Sequence, residues 1–343
     1  MPTTGPGDLR ACSSVPGRGR TFRAARVAAL VLLSAGAIPG GPARAQTVPY
    51  PPEPDWSSGP AENTYCGTFG DIDLDGDLDL VCGNYEEGNT VYINHQGALG
   101  MLPSWTSLPA RKTTSLSLGD VDGDGDLDLA CGNWQQPNAL YRNDGGVFTR
   151  SPVWFAQEGR NTYEVAPGDM DRDGDLDFVS GNFGQACTIH RNDGGAFTME
   201  PVWASAIVSN TTCIALGDVD NDGNLDLVSG NFGEANTLFL GAGDTLSTTP
   251  AWSSDSTKST WTISLGDVNG DGWIDLLCGN TGDLTSSQRN TLYLNDGGGS
   301  SRPTRRGSPR RRGVRTGARS AMWTTTAIST RSTGTSTSRT WSI

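Results

Sequence analysis

The sequence predicts an all-β fold, a β-propeller of four-stranded blades made from five repeats of 49 residues. Three observations predict it. An acidic loop begins at Asp71, Asp120, Asp169, Asp218 and Asp267. A tryptophan keeps the same spacing at Trp56, Trp105, Trp154, Trp203 and Trp252. A Gly-Asn pair follows each loop, at Gly83-Asn84, Gly132-Asn133, Gly181-Asn182, Gly230-Asn231 and Gly279-Asn280. Three markers on one period define a repeat, and no segment shows a helical period.

The elements follow in chain order. Residues 1–45 read as an export signal: Arg10, Arg18, Arg20, Arg23 and Arg26 precede an apolar run over 27–38. That run is too short to span a bilayer, and Ala43-Arg44-Ala45 has the small-x-small form of a cleavage site. The expectation is cleavage near Ala45, a mature chain without a transmembrane segment, and a secreted, periplasmic or cell-surface location. Residues 46–61 read as a linker and an N-terminal closing strand. Trp56 stands there in register as a fourth strand with no blade before it.

Residues 62–299 hold the five repeats. Each unit starts with a short strand such as 211–216. After the acidic loop come an alternating strand such as 226–229 and another such as 236–240. Asn-Asp-Gly-Gly at 143–146, 192–195 and 295–298 predicts a hairpin turn, followed by a fourth strand such as 197–203. The recurring tryptophan is the size of side chain that packs between neighbouring sheets.

The fifth unit carries five extra residues between Asn280 and Asn290. A sixth acidic loop is therefore due near residue 321. The chain there is instead part of an Arg/Ser/Thr-rich tail, 300–343. If the codons around Met322 and Trp323 end in G or C, the adjacent frame spells a further acidic motif. The tail is read as a frameshifted, disordered sixth repeat. The five units would then be a truncated arc of a larger ring of about seven blades. The alternative is a closed five-blade ring, with the Trp56 strand completing the last blade.

Charge follows the same partition. The formal net charge is −13, but ten arginines lie in 301–343 and six in 1–45, so residues 46–300 hold nine basic and 37 acidic side chains. Such a body lacks the cationic footprint of a nucleic-acid binder. It attracts cations, and 22 of its acidic residues lie within the five loops.

Each loop reads Asp-x-Asp-x-Asp-Gly-x-x-Asp or close to it. The first offers Asp71, Asp73, Asp75, Asp77 and Asp79; the second, Asp120, Asp122, Asp124, Asp126 and Asp128. The third offers Asp169, Asp171, Asp173, Asp175 and Asp177; the fourth, Asp218, Asp220, Asp222, Asn224 and Asp226. The fifth offers Asp267, Asn269, Asp271, Trp273 and Asp275. Carboxylates at alternate positions of a tight loop converge, and glycine at the sixth position permits the turn. The seventh position would contribute a backbone carbonyl, so its side chain varies. Oxygen-only donors favour Ca²⁺ over zinc or copper, and about five structural ions are expected.

These runs, such as Gly119-Asp120 through Leu129, with the apolar strand after each, resemble the FG-GAP or VCBS-type repeat of integrin α-subunit propellers and exported bacterial proteins. The resemblance covers residues 62–299. The closing Gly-Ala-Pro of that family is replaced here by Gly-Asn, as at Gly230-Asn231, which places the chain nearer the bacterial repeats. The resemblance implies a calcium-loaded propeller used in adhesion or ligand binding.

Six cysteines follow the signal: Cys66, Cys82, Cys131, Cys187, Cys213 and Cys278. Cys82, Cys131 and Cys278 share a repeat position with Ser180 and Ser229, the pattern of a small buried strand residue. Cys66 and Cys82 flank one loop and are the only pair suggested as a disulfide. His95 and His190 belong to no nucleophile–base or metal-ligand pattern. The departures from repeat symmetry, at 281–289, Tyr85-Glu86-Glu87 and Trp134-Gln135-Gln136, assemble no acid/base pair. The expectation is thus a non-catalytic module for an extracellular protein or glycan. The alternative is a propeller-based polysaccharide lyase or hydrolase.

Overall fold

Alternating apolar residues on either side of each acidic loop form antiparallel strands, and these strands build the whole described molecule. The computed structural model describes residues 53–282 and 288–298, with the backbone alone of Arg26–Ala28. Among them there are only strands and turns, and no helix is long and apolar enough to cross a membrane. The expected tail repeat and most of the expected export signal lie outside the described residues. Arg26–Ala28 runs parallel to Cys66–Thr68.

Each unit is an antiparallel sheet. In the fourth, Ser209–Gly217 pairs with Asp226–Glu234, which pairs with Thr237–Phe239, which pairs with Trp252–Ser253. The first three units repeat this order. The fifth shows three strands: Lys258–Gly266, Asp275–Thr281 and Thr291–Tyr293. Repeated sheets in this order form a propeller-like arc. The described residues show no pairing between the first unit and the fifth.

The strands differ from the sequence expectation at two places. The second strand continues through the Gly-Asn pair to nine residues in the first four units. Its end leaves its own sheet and pairs with the first strand of the next unit, as at Phe183↔Asn210 and Gln185↔Ser209. The expected fourth strand at 197–203 is two elements. Ala196–Phe197 folds back on Asn192–Asp193, and the outer strand begins only at Trp203. Pro201 has no N–H to give a ladder, and the chain crosses there to the sheet edge.

The core lies between sheets. Met170, Val179, Ile189 and Trp203 of the third unit pack with Ile214, Leu227, Phe239 and Leu246 of the fourth. Three similar clusters fill the other junctions. The tryptophans stand in these junctions as expected. Trp105 meets Tyr141 edge-on at 5.3 Å, Trp203 meets Phe239 at 5.4 Å and Trp252 meets Tyr293 at 5.1 Å. His190 takes the same place against Trp154 at 5.2 Å. Burial lowers its pKa, and its Nδ1 lies 3.0 Å from the Thr198 carbonyl oxygen.

The Gly-Asn pair serves this packing. A Cβ on Gly132 would stand 2.8 Å from Val165 Cγ1 of the next unit, so only glycine allows the approach. The neighbouring asparagines of the first four units are buried and bonded: Asn133 Oδ1 accepts from Thr113 Oγ1 at 3.0 Å, and its Nδ2 donates to the Pro137 carbonyl at 2.8 Å. The recurring Cys/Ser position also lies at a junction. Asn138 Nδ2 donates to Ser180 Oγ at 3.1 Å, while Asn89 and Asn236 donate to the sulfurs of Cys131 and Cys278.

The suggested Cys66–Cys82 disulfide does not form, and no disulfide joins any of the six described cysteines. The register sets Cys66 opposite Gly83 and Cys82 opposite Gly67. Adjacent positions on a strand point to opposite faces, so the two sulfurs lie on different sides of the sheet.

Candidate metal centres

Each acidic loop joins the first and second strands of its unit, and its backbone is wound around its own carboxylates. The first aspartate accepts from the N–H of the sixth residue: Gly76 to Asp71 at 3.1 Å, Gly125 to Asp120 at 3.0 Å, Gly174 to Asp169 at 3.1 Å. Gly223 to Asp218 and Gly272 to Asp267 complete the set. Those glycines have φ between 88° and 100°, the left-handed region expected from the sequence. The fifth residue accepts from the N–H of the seventh, as Asp75 does from Asp77 at 2.9 Å and Asp124 from Asp126 at 3.0 Å. Asp173, Asp222 and Asp271 do the same.

The ninth residue is the anchor. Asp79, Asp128, Asp177, Asp226 and Asp275 are all buried. One oxygen of Asp128 accepts from Val121 N–H at 3.0 Å, and the other from Asn143 N–H at 2.8 Å. Asp79, Asp177, Asp226 and Asp275 bind the equivalent pairs. The carboxylate thereby ties the following hairpin to the loop. Burial pushes Asp128, Asp177 and Asp226 up to about 6, and raises Asp79 in the same direction.

Four of the five loops bring three carboxylates together. Asp71, Asp73 and Asp79 offer oxygens within 4.8 Å of one another, as do Asp120, Asp122 and Asp128. Asp169, Asp171 and Asp173 converge in the third loop, and Asp218, Asp220 and Asp226 in the fourth. Four of these carboxylate oxygens are buried without a hydrogen-bond partner: Oδ1 of Asp71, Asp73, Asp122 and Asp169. A buried carboxylate oxygen facing other carboxylates is a strongly unfavourable arrangement unless a cation neutralises it. The donor set is oxygen alone, which suits a hard divalent ion.

The fifth loop assembles no such group among the described residues. Its third position is Asn269, whose Nδ2 donates to Asp271 Oδ2 at 2.8 Å, so the loop closes on itself. The side chains at the seventh position point away from the clusters. Asp77, Asp126 and Asp175 accept at 2.6 Å from Gln96, Gly145 and Gly194 of the following hairpin. Asn224 accepts at 3.5 Å from Arg172 Nη1. Trp273 lies against Gly297.

Three cationic or basic groups at these loops were not legible in the sequence. Arg142 Nη1 lies 2.8 Å from Asp122 Oδ2, and Arg191 Nε 2.9 Å from Asp171 Oδ2. His95, read as outside any ligand pattern, converges with Asp73 and Asp75 and lies 3.6 Å from Asp75 Oδ2. All three sit beside the hairpin that the ninth aspartate draws onto the loop, 15 to 20 residues along the chain. No short motif carries that contact.

A family model described as an FG-GAP-like repeat matches residues 71–131, 120–180, 169–229 and 218–278. Each match runs from the first aspartate of one loop to the Cys/Ser position after the next. No curated protein matches the chain. Three solved structures are similar to it. The first is the computationally designed Ika8 protein, with 11% identity and a TM-score of 0.42 over 62% of this chain. The second, BBS1N in complex with ARL6DN, has 12% identity and a TM-score of 0.41, covering 65% of this chain and 78% of that one. The third, the V. cholerae biofilm matrix protein Bap1, has 14% identity and a TM-score of 0.47 over 69% of this chain. The chain spans 54% of the designed protein and 39% of Bap1.

Proposed function

The chain belongs to the FG-GAP-like repeat family, and on that premise we propose that it is an exported, calcium-binding, non-catalytic module that binds an extracellular protein or glycan. The observation that carries the calcium reading is the set of carboxylate trios in the first four loops, with orphaned buried oxygens in the first three. Asp71, Asp73 and Asp79 would hold one ion, Asp120, Asp122 and Asp128 a second. Asp169, Asp171 and Asp173 would hold a third, and Asp218, Asp220 and Asp226 a fourth. The fifth loop, with Asn269 turned onto Asp271, is the weakest candidate.

The role of the ion follows from its place. Each loop and its hairpin sit at a junction between sheets, where Asn143 Nδ2 donates to the Ile72 carbonyl of the preceding loop at 2.9 Å. Fixing the loop therefore fixes the junction. Extracellular calcium sites bind at roughly 10⁻⁴–10⁻³ M, so about 1 mM calcium adds on the order of 0.4–1.4 kcal/mol per site. Four sites together give about 2–6 kcal/mol, a large share of a typical folding free energy. Scanning calorimetry with calcium and with chelator tests the reading. A melting temperature that does not fall in chelator rejects it.

A further inference from the structure

The two ends of the arc carry complementary halves of the junction that joins its units. At the start, Trp56 stands against unit one where the outer-strand tryptophan of a preceding unit would stand, although residues 53–63 form no strand. Its ring meets Tyr92 edge-on at 5.2 Å, and its Nε1 donates to the Gly100 carbonyl at 3.0 Å. Trp154 makes the equivalent bond to Thr198 at 3.2 Å. Gly59 N–H donates to the Met101 carbonyl at 2.7 Å, as Leu108 does to Arg150 and Ala206 to Thr248. The local sequence agrees: Pro54-Asp55-Trp56-Ser57-Ser58 differs from Pro250-Ala251-Trp252-Ser253-Ser254 at one position. Ser58 Oγ donates to the Pro60 carbonyl and Ser254 Oγ to Ser256, both at 2.9 Å.

At the other end, the third strand of unit five, Thr291–Tyr293, pairs among the described residues with Asp275–Thr281 alone. In the first four units that strand is covered by an outer strand led by tryptophan. Exposure records the difference. Leu292 is 48% exposed, whereas Val91, Leu140 and Ile189 at the same position are 1–2% exposed. Val268 is 40% exposed, against 0% for Ile72 and 4% for Met170. The Pro-x-Trp pattern of all five outer strands recurs nowhere after residue 298, and the position in register is Arg306.

We propose that the chain associates head to tail with a second copy of itself, Pro54–Ser58 of one copy lying as the fourth strand beside Thr291–Tyr293 of the next. The register copies unit four, where Thr237 faces Ser253 and Leu238 faces Trp252. Ser57 then faces Thr291, and Trp56 faces Leu292. Asp55 N–H donates to the Leu292 carbonyl as Ala251 does to Leu238, and Ser58 N–H to Asn290 as Ser254 does to Asn236. Asn290 N–H donates to Ser58 Oγ, copying Asn236 to Ser254 at 2.9 Å. The new contact is a heterologous interface that repeats the internal junction. A second copy is favoured over the same chain because the internal bonds recur at fixed offsets, holding the units in one relation. Among the described residues, no strand of the first unit pairs with the fifth. This association goes beyond the calcium reading and stands without it.

The test uses the full chain with Ser57→Cys and Thr291→Cys, made singly and as a pair. Facing residues on antiparallel strands have Cα atoms about 4.5–5.5 Å apart, within disulfide range. On mild oxidation, a mixture of the two single variants should give a crosslinked dimer containing one of each, and the paired variant a ladder of linked chains. The oxidised parent chain sets the background from native cysteines. A link within one chain of the paired variant, which would mean a closed five-unit ring, overturns the proposal, and so does no link at all. Leu292→Asp should abolish association in light scattering while leaving the circular dichroism unchanged. If it unfolds the chain, Asp55→Pro, which deletes the edge N–H, is read instead. Undiminished association in the folded variant also overturns the proposal.

Discussion

Leu74 shows what the loop demands of single residues. At φ 58° it holds the left-handed conformation, although its side chain is largely exposed and gains little from packing. Gly123, Arg172, Asn221 and Gly270 occupy the same fourth position, each with positive φ. A left-handed leucine costs about 1–2 kcal/mol, and asparagine tolerates the region better. Leu74→Asn should therefore raise stability by about 1 kcal/mol, read as a higher melting temperature; an unchanged or lower one would refute it. The sixth-position glycine was legible from the loop motif. The fourth was not, because leucine, arginine and asparagine there share no signature. The ninth aspartate adds a pH dependence. Burial holds Asp128, Asp177 and Asp226 at about 6 in the folded chain, above the unfolded value of about 3.9. Their stabilising contribution is full below about 3.9 and is lost as pH rises through about 6. The metal-free protein should therefore lose stability across that window on account of these groups. Calcium needs the carboxylates ionised, so its affinity should rise through the same window. Calcium titrations at about pH 5 and pH 7.5 check this; equal affinities would contradict it.

At the scale of the element, the hairpin after the third strand is the piece whose role was least legible. Asn-Asp-Gly-Gly announces a turn, and a turn forms at 192–195. Its asparagine also reaches across a junction: Asn192 Nδ2 donates to the Val121 carbonyl at 2.6 Å, and Asn295 Nδ2 to Val219 at 2.7 Å. A contact to a residue 71 positions earlier leaves no local pattern. The second strand was half legible for the same reason. Its alternation up to the Gly-Asn pair matches pairing within the unit, whereas Phe183 and Gln185 serve the next one. Unit four shows a limit of the repeat. Gly241 replaces the asparagine, and a Cβ there would lie 2.5 Å from the Leu225 carbonyl oxygen and 2.9 Å from Asn224 Cβ. Restoring the common residue should thus harm this unit. Gly241→Asn is expected to destabilise by about 1–3 kcal/mol through overpacking, read as a lower denaturation midpoint; a gain in stability would show that the hairpin can withdraw.

At the scale of the whole molecule, stability is a sum over junctions, because each hydrophobic cluster joins only neighbouring sheets. The acidic loops lie along the same junctions, which makes electrostatics a term in every one of them. Residues 46–300 carry 37 acidic against nine basic side chains, and internal cations reach few of the loops, chiefly Arg142 at Asp122 and Arg191 at Asp171. Like charges a few ångströms apart repel, and mobile salt screens that repulsion only over about 10 Å at 0.1 M. Exposed positions such as Asp75, Asp124 and Asp222 feel the screening, whereas the buried oxygens of Asp71, Asp122 and Asp169 are shielded from it. Two responses should then separate. In chelator, sodium chloride from about 0.02 to 0.3 M should raise the melting temperature by a few degrees through the exposed carboxylates. Calcium at about 1 mM, adding negligible ionic strength, should raise it further, because an ion seated among the buried oxygens neutralises what salt cannot reach. Magnesium, smaller and reluctant to shed water, should do less at the same concentration. If sodium chloride at matched ionic strength reproduces the whole calcium effect, the loops are screened surface charge and no ion is seated in them.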